Sequence, residues 1–198
     1  MVNIPIEISA RHIHLSKKDL EALFGRGYQL KKKKDLVQCC DFAAEETVDI
    51  EKNGKKISKV RIVGPAREET QLELSLTDAY FLGEGAKIPV KQSGDLKNTP
   101  GIILIGPKRK LAIRRGVIVS WRHIHLSLKE AKRLNIDKKK FVSVKIKGKR
   151  GLILNNVWIR IGEKYHLSMH LDTDEGNAAG IPVKGKGKII SSRRLGRR

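Results

Sequence analysis

Residues 8–23 read ISARHIHLSKKDLEAL, and residues 119–134 read VSWRHIHLSLKEAKRL. Aligned without gaps, the two segments are identical at nine of sixteen positions, including the whole RHIHLS block. Agreement of this kind within one chain indicates an internal repeat. A weaker correspondence sets residues 60–78, VRIVGPAREETQLELSLTD, against residues 157–175, VWIRIGEKYHLSMHLDTDE. We therefore predict a duplicated unit, with copies at residues 1–100 and 101–189.

The sequence around the repeats predicts a mainly β fold. Short apolar or alternating runs bounded by Gly or Pro are typical of strands, and they occur at residues 47–50, 59–63, 71–74, 102–105 and 142–146. A short helix is predicted after each RHIHLS block, with Ser16 and Ser127 as N-caps and Asp19 and Glu130 three residues further on. Many short strands at this spacing favour small barrels. We expect tandem duplicated β-barrels with short helices, and such barrels can exchange strands.

Composition excludes several classes of protein. The chain has 198 residues, 39% of them apolar, which is enough for a packed core. No apolar run is long enough to span a bilayer, and the opening MVNIPIEISA lacks the features of a secretory signal, so a cytoplasmic location is predicted. Cys39 and Cys40 are the only cysteines, which argues against a disulfide scaffold. Residues 190–198 are predicted to form a mobile basic tail.

Two histidine pairs carry the strongest chemical signal. Alternate side chains of a strand project from the same face, so His12 and His14 point together, as do His123 and His125. Two imidazoles on one face can bind one metal ion, and a zinc site commonly adds a third protein ligand. The weaker correspondence supplies that ligand at equivalent places. The predicted donor sets are His12, His14 and Glu73 in the first copy, and His123, His125 and His170 in the second.

The alternative to a metal site is that each histidine merely packs or caps. That explanation would be preferred for one isolated HxH pair. Duplication of the whole block, with a third donor in register each time, favours metal binding instead. The sixth histidine, His166, has no donor at its equivalent position and is predicted to be an ordinary surface or supporting residue.

Several stretches of the chain, in order, resemble the PduL-type phosphotransacylases, also called phosphate propanoyltransferases. The resemblance runs from about Ile4 to about Lys188. The stretches that carry it are ISARHIHLS, LKKKKDLVQCCDFAAEETV, VRIVGPAREETQLELSLTDA, SGDLKNTPGIILIGP, RRGVIVSWRHIHLS, RGLILNNVWIR and MHLDTDEGNAAG.

The resemblance implies a fold, a reaction and a set of site residues. It implies tandem β-barrels with a dimetal site, usually zinc, between the two copies, on the same six donors. The implied reaction interconverts acyl-CoA plus phosphate with acyl phosphate plus coenzyme A. Arg67, in the GPAR segment, is implied to bind phosphate. The implied coenzyme A contacts are Ser9, Lys34, Arg61 and Asn177, with His170 nearby. A homodimer is compatible with the sequence.

The chain departs from the family pattern at three places. Ala10 stands where the family often has asparagine, and Cys39-Cys40 replaces a more usual turn. The amphipathic N-terminal segment of members packaged in bacterial microcompartments has no counterpart before the strand predicted at Ile4, which favours a free cytosolic enzyme. The cysteines have no equivalent in the second copy, so a structural or incidental role is preferred over ligation or nucleophilic attack.

The sequence is compatible with three different functions. The first is phosphotransacylation by direct acyl transfer, with Arg67 on phosphate rather than in a salt bridge to Glu68, Glu69 or Glu73. The second is a ribosome-associated nucleic-acid-binding module, suggested by the net charge of +21 but opposed by 5% aromatic content. The third is a metal-dependent hydrolase that uses water at the same site. A few basic residues suffice to attract anionic substrates, and the rest are predicted to be a solvated surface.

Overall fold

The computed structural model describes residues 3–190, and strands make up most of its regular structure. The predicted tail therefore lies outside the described residues, apart from Ile190, which ends the last strand. In chain order the strands are β1 (Asn3–Ile8), β2 (His12–His14), β3 (Lys32–Asp35), β4 (Phe42–Lys52), β5 (Lys55–Gly64), β6 (Gln71–Leu74), β7 (Val90–Lys91), β8 (Ile102–Ile105), β9 (Lys110–Ile113), β10 (Val117–Ser120), β11 (His123–Leu126), β12 (Phe141–Ile146), β13 (Leu152–Ile161), β14 (Ser168–Leu171) and β15 (Lys184–Ile190).

Within residues 3–190 there are four short α-helices: α1 (Lys17–Phe24), α2 (Leu76–Phe81), α3 (Leu128–Arg133) and α4 (Thr173–Ala179), with a 3-10 turn at Gly85–Lys87. Both predicted caps are confirmed, because Ser16 Oγ accepts from the N–H of Asp19 and Ser127 Oγ from that of Glu130. The Glu130 carboxylate in turn accepts from the N–H of Ser127, which completes a capping box. At the other cap, the N–H of Ser16 donates to the hydroxyl of Thr70. This hydroxyl in turn donates to the carboxylate of Asp19.

The described residues form two compact units. The sheet unit, residues 10–120, contains a curled open sheet with the strand order β7-β10-β6-β2-β5-β4-β8-β9, and β3 pairs with β4. The barrel unit, residues 3–9 and 121–190, contains the closed barrel β1-β14-β11-β13-β12-β15. A mainly β fold with short helices is therefore confirmed, with one unit closed and the other open.

The compact units and the predicted repeat copies divide the chain differently, because β1 lies in the barrel unit while β8, β9 and β10 lie in the sheet unit. In the repeat alignment β1 corresponds to residues 114–119, which contain most of β10. Yet β1 lies parallel to β14 of the second copy, with Ile6 beside Met169. In the same way β10 lies parallel to β6 of the first copy, with Val117 beside Leu72. Each of these strands thus completes the sheet built mainly from the other copy.

Buried isoleucines fix which way the histidine pairs point. Ile13, the middle residue of the first pair, lies in the hydrophobic core of the sheet unit, and Ile124 lies in the core of the barrel unit. Both side chains are fully buried, and burial of one isoleucine stabilises the fold by about 1.5–3 kcal/mol. A one-residue slip would expose the isoleucine and turn both histidines inward. The alternation therefore holds each histidine pair on the opposite face of its strand.

Candidate metal centres

The first predicted donor set is assembled on two neighbouring strands of the sheet unit. β2 carries His12 and His14, and antiparallel β6 places Glu73 directly opposite His12. Atoms able to ligate a metal, one from each side chain, lie within 4.8 Å of one another. His12 Nε2 is 3.7 Å from a carboxylate oxygen of Glu73. The structure thus brings together the three residues that the repeat predicted.

Backbone carbonyls orient both histidine rings of this set. His12 Nδ1 lies 2.9 Å from the carbonyl oxygen of Ala10, and His14 Nδ1 lies 3.1 Å from that of Val63. Because a carbonyl oxygen only accepts, each Nδ1 carries the proton and donates it, which leaves Nε2 with the lone pair that a metal needs. Burial, followed by the charge of His12, lowers the pKa of His14 well below its ordinary value. The His14 ring is therefore neutral at pH 7, as a ligand must be.

The third donor, Glu73, is held by an amide that sequence reasoning missed. Gln71 Nε2 donates to Glu73 at 2.6 Å and to Ser93 Oγ at 2.8 Å, while Gln71 Oε1 accepts from the N–H of Gly94 at 2.8 Å. Outer hydrogen bonds of this kind orient a ligating carboxylate. The sequence signal was the position of Gln71 two residues before the donor, on the same face of the strand.

The second donor set repeats this arrangement in the barrel unit. β11 carries His123 and His125, and antiparallel β14 places His170 opposite His123. One ligating atom from each ring again lies within 4.8 Å of the others, and the His170 ring centroid is 5.2 and 4.9 Å from those of His123 and His125. His123 Nδ1 lies 2.7 Å from the carbonyl oxygen of Trp121, so it also donates from Nδ1. In each set, therefore, the first histidine is anchored to the carbonyl two residues before it.

The chemistry of both donor sets fits a divalent zinc ion. Imidazole nitrogen and carboxylate oxygen are ordinary zinc ligands, and three of them leave a fourth position for water or substrate. Ligands of a tetrahedral zinc stand roughly 3.4 Å apart. In each set the candidate ligating atoms lie within 4.8 Å of one another.

An arginine–carboxylate pair braces each donor set at matching positions. Arg11 contacts Asp78 through Nε at 2.8 Å and through Nη at 2.7 Å, and Arg122 Nε lies 3.1 Å from Glu175. Each arginine directly precedes the first histidine of its set, and each carboxylate follows the third donor by five residues. The pairs thus tie the histidine strand to the helix after the third donor. The weaker correspondence in the sequence already aligned Asp78 with Glu175.

The Arg122–Glu175 pair of the barrel unit contains a carboxyl group with a raised pKa. Glu175 is largely buried, and its Oε2 has no hydrogen-bond partner among the described residues. Burial raises the pKa of Glu175 to about 7; the charge of Arg122 opposes this rise, and the charges of Asp172 and Asp174 add to it. A substantial fraction of this carboxyl group is consequently protonated at neutral pH.

Replacing Glu175 by glutamine is expected to flatten the pH dependence of stability. The pKa of this carboxyl group is raised from 4.5 to about 7 on folding, so its favourable contribution is complete below pH 4.5 and is lost as the pH rises through 7. The loss amounts to about 3 kcal/mol, which Glu175→Gln removes. Thermal melts between pH 5 and 8 test this on metal-free protein, because a bound cation would add its own charge. The exposed Glu163→Gln is the control, and equal slopes for all three proteins would contradict the expectation.

Arg67, the residue implied to bind phosphate, lies beside the first donor set. Its N–H donates to the carbonyl of Leu15 at 2.9 Å, next to His14 in the chain. After burial and His12, the charge of Arg67 is the next cause of the lowered pKa of His14. The guanidinium group is about one-third exposed and lies 3.7 Å from the carboxylate of Asp41. A positive group that solvent can reach therefore stands next to the donors.

The four residues implied to contact coenzyme A are divided between the units. In the sheet unit, Arg61 lies beside His12 in the register of β5 with β2 and donates to two carbonyls of β4 at 2.9 and 2.8 Å. Lys34 is exposed on β3. In the barrel unit, Ser9 is half-buried after β1 and Asn177 is exposed on α4. Their contact with coenzyme A stays a prediction.

Comparison with known proteins gives the chain its class. A family model described as phosphate propanoyltransferase matches residues 5–182. The phosphate propanoyltransferase of Thermotoga maritima is 48% identical over 177 residues, covering 89% of this chain and 83% of that protein. Those of Salmonella typhimurium (48% over 178 residues; 89% and 83%) and Alkaliphilus metalliredigens (42% over 189 residues; 96% and 88%) agree.

The family model and these relatives therefore place the chain among the acyltransferases of the phosphotransacylase class, as predicted. The chain belongs to the phosphate propanoyltransferase family. Among residues 3–190, no helix combines the length and apolar character needed to cross a membrane.

Proposed function

We propose that the protein interconverts acetyl- or propanoyl-CoA plus phosphate with the acyl phosphate plus coenzyme A. The observation that carries the proposal is the pair of matched donor sets, in which Nδ1 of His12, His14 and His123 donates to a backbone carbonyl and the ring lone pair is on Nε2. The names of the relatives indicate propanoyl transfer, and an acetyl group differs from a propanoyl group by one methylene. One methylene changes the binding free energy by only about 1–3 kcal/mol, so the proposal includes both acyl-CoA substrates.

We further propose two zinc ions per chain, one on each donor set. Bound zinc supplies a Lewis acid that lowers the pKa of a thiol and polarises a carbonyl or phosphoryl oxygen. The chain contributes the imidazole and carboxylate ligands, the anchoring by Gln71 and the two arginine–carboxylate braces. Arg67 adds a fixed positive charge that can bind phosphate through two parallel hydrogen bonds.

The acyl group is proposed to pass directly between the substrates. The sulfur of coenzyme A attacks the acyl carbonyl as the thiolate, the carbon–oxygen bond to phosphate breaks, and the thiol proton ends on the departing phosphate, whose remaining charge Arg67 neutralises. Lys34 and Arg61 supply positive charge for the phosphates of coenzyme A. Isolation of an acyl-enzyme in a single-turnover experiment would contradict direct transfer.

The assay of zinc-loaded protein with acetyl-CoA or propanoyl-CoA and phosphate tests the proposed reaction. Phosphate-dependent release of coenzyme A, with acyl phosphate as the other product, is the expected result. Acyl phosphate that is cleaved equally fast with and without coenzyme A would indicate a hydrolase. Salt-sensitive RNA binding in a filter assay, with no turnover, would favour the nucleic-acid alternative.

Replacing Arg67 by methionine is expected to raise KM for phosphate by about 10- to 100-fold, because a charge-assisted hydrogen bond contributes about 1.5–3 kcal/mol. KM for the acyl-CoA should change little. Initial rates over a range of phosphate concentrations measure the effect. Arg115→Met is the matched control, since Arg115 is exposed and pairs with Glu69. An equal rise in both KM values for Arg67→Met would count against a phosphate role.

A further inference from the structure

The loop between β3 and β4 contains two adjacent thiols that the proposed reaction does not use. Cys39 and Cys40 are both exposed and are not joined in a disulfide. Their Sγ atoms lie 3.0 Å apart. Because the chain has no other cysteine, each thiol has the other as its one intramolecular partner for oxidation.

Oxidation of neighbouring cysteines gives a bond that is easily reversed. The Cα atoms of neighbouring residues are about 3.8 Å apart across a trans peptide, closer than the roughly 4.4–6.8 Å usual for disulfides. A ring closed at that spacing is strained, and strained, exposed disulfides are readily reduced. A pair of this kind therefore suits reversible modification rather than stabilisation of the fold.

The residue after the thiols links this loop to the phosphate-binding arginine. The Asp41 carboxylate lies 3.7 Å from the guanidinium of Arg67. Backbone hydrogen bonds bracket the pair, from the N–H of Asp41 to Gln38 and from the N–H of Leu36 to Asp41. Cys40, which directly precedes Asp41, has a φ of +73°, in the left-handed region that side chains other than glycine rarely adopt. Because Cys40 and Asp41 share a peptide bond, a backbone rotation at Cys40 on ring closure would displace Asp41.

We propose that Cys39 and Cys40 form a reversible modification site for low-molecular-weight disulfides, and that closing the ring withdraws Asp41 from Arg67. One thiolate attacks the disulfide RSSR, a mixed disulfide forms and RS⁻ leaves. The second thiolate then attacks the mixed disulfide, the ring closes and a second thiol leaves, so two protein thiols are oxidised while RSSR is reduced to two RSH. The effect on phosphate binding rests on the role of Arg67 proposed above.

Withdrawal of Asp41 removes an anion that competes with phosphate for Arg67. Both side chains are about one-third exposed, so the ion pair is weak. KM for phosphate is therefore expected to fall by about two- to five-fold on oxidation, the range of a solvent-exposed pair.

The test treats the full-length, zinc-loaded protein with bis(2-hydroxyethyl) disulfide, an uncharged probe that does not compete with phosphate. Intact-mass measurement should show loss of two hydrogen atoms, restored by dithiothreitol. Stable adducts on both cysteines, or no change in mass, would overturn the modification site. Initial rates are taken with acyl-CoA and phosphate, because added coenzyme A would reduce the ring.

Matched variants separate the parts of the proposal. Cys39→Ser and Cys40→Ser should each take one adduct, form no ring and keep an unchanged KM for phosphate. Asp41→Asn should close the ring but show no further change in KM on oxidation. Ring closure in the wild-type protein without a fall in KM for phosphate would overturn the link to Arg67.

Absence of transacylase activity in the reduced protein would instead refute the proposed function. The mass measurement would still show whether Cys39 and Cys40 form a disulfide ring.

Discussion

Replacing His125 by alanine is expected to lower phosphotransacylase activity by at least about 100-fold and to remove one of the two proposed zinc ions. The variant leaves His123 and His170 as the only members of the predicted second set. Loss of an outer partner of a metal ligand already costs about 10- to 100-fold in affinity or activity, and loss of the ligand itself should cost more. Metal content after dialysis and the rate with acyl-CoA plus phosphate measure the two effects separately.

His166→Ala is the matched control for that experiment. His166 is exposed and belongs to neither donor set, so its variant should keep both zinc ions and most activity. Full activity of His125→Ala, with two ions still bound, would contradict the proposed second metal centre. Loss of activity with both ions retained would point instead to a direct role of the His125 ring.

Replacing Gly116 by alanine is expected to lower the free energy of unfolding by about 4 kcal/mol or more, at the upper end of single substitutions. Gly116 has a φ of +115°, and a Cβ there would overlap the carbonyl oxygen of Thr70. The backbone cannot move aside easily, because Gly116 accepts from Leu72 at 2.8 Å and donates to Thr99 Oγ1 at 2.9 Å. Urea unfolding monitored by tryptophan fluorescence and circular dichroism measures the loss.

The Gly25→Ala variant measures the free-energy cost of the backbone dihedral angle alone, without a steric overlap of the added Cβ. Gly25 has nearly the same φ, +119°, but no atom lies within 4 Å of the position a Cβ would take. Its variant should lose only the strain of an unfavourable backbone conformation, about 1–3 kcal/mol. Equal losses for Gly25→Ala and Gly116→Ala would show that Thr70 yields to the added methyl group.

Both donor sets could be predicted because their signals are local and occur twice. Strand alternation places His12 with His14, and the repeat register identifies Glu73 and His170 as equivalent third donors. In the structure each of these third donors lies opposite the first histidine of its set. The helix caps at Ser16 and Ser127 were equally accessible, since each serine side chain accepts from the N–H three residues further on.

The two arginine–carboxylate contacts could not be predicted, because they join residues far apart in the chain. Nothing local at Arg11 distinguishes Asp78 from other acids as its partner, and the same holds for Arg122 and Glu175. The open sheet also differs from the closed barrel despite matching sequence blocks. Short apolar runs predict that strands exist, whereas tertiary packing decides which strands pair.

The exchanged positions of β1 and β10 bear on the order in which the chain folds during synthesis. Ile6 of β1 pairs beside Met169, about 160 residues later, and contacts of such long range slow folding. The ribosome therefore releases β1 well before its partners exist, whereas β10 emerges after β6 and can add to it at once. The barrel can close only after its last strand has been made, so the first strand synthesised is among the last to be secured.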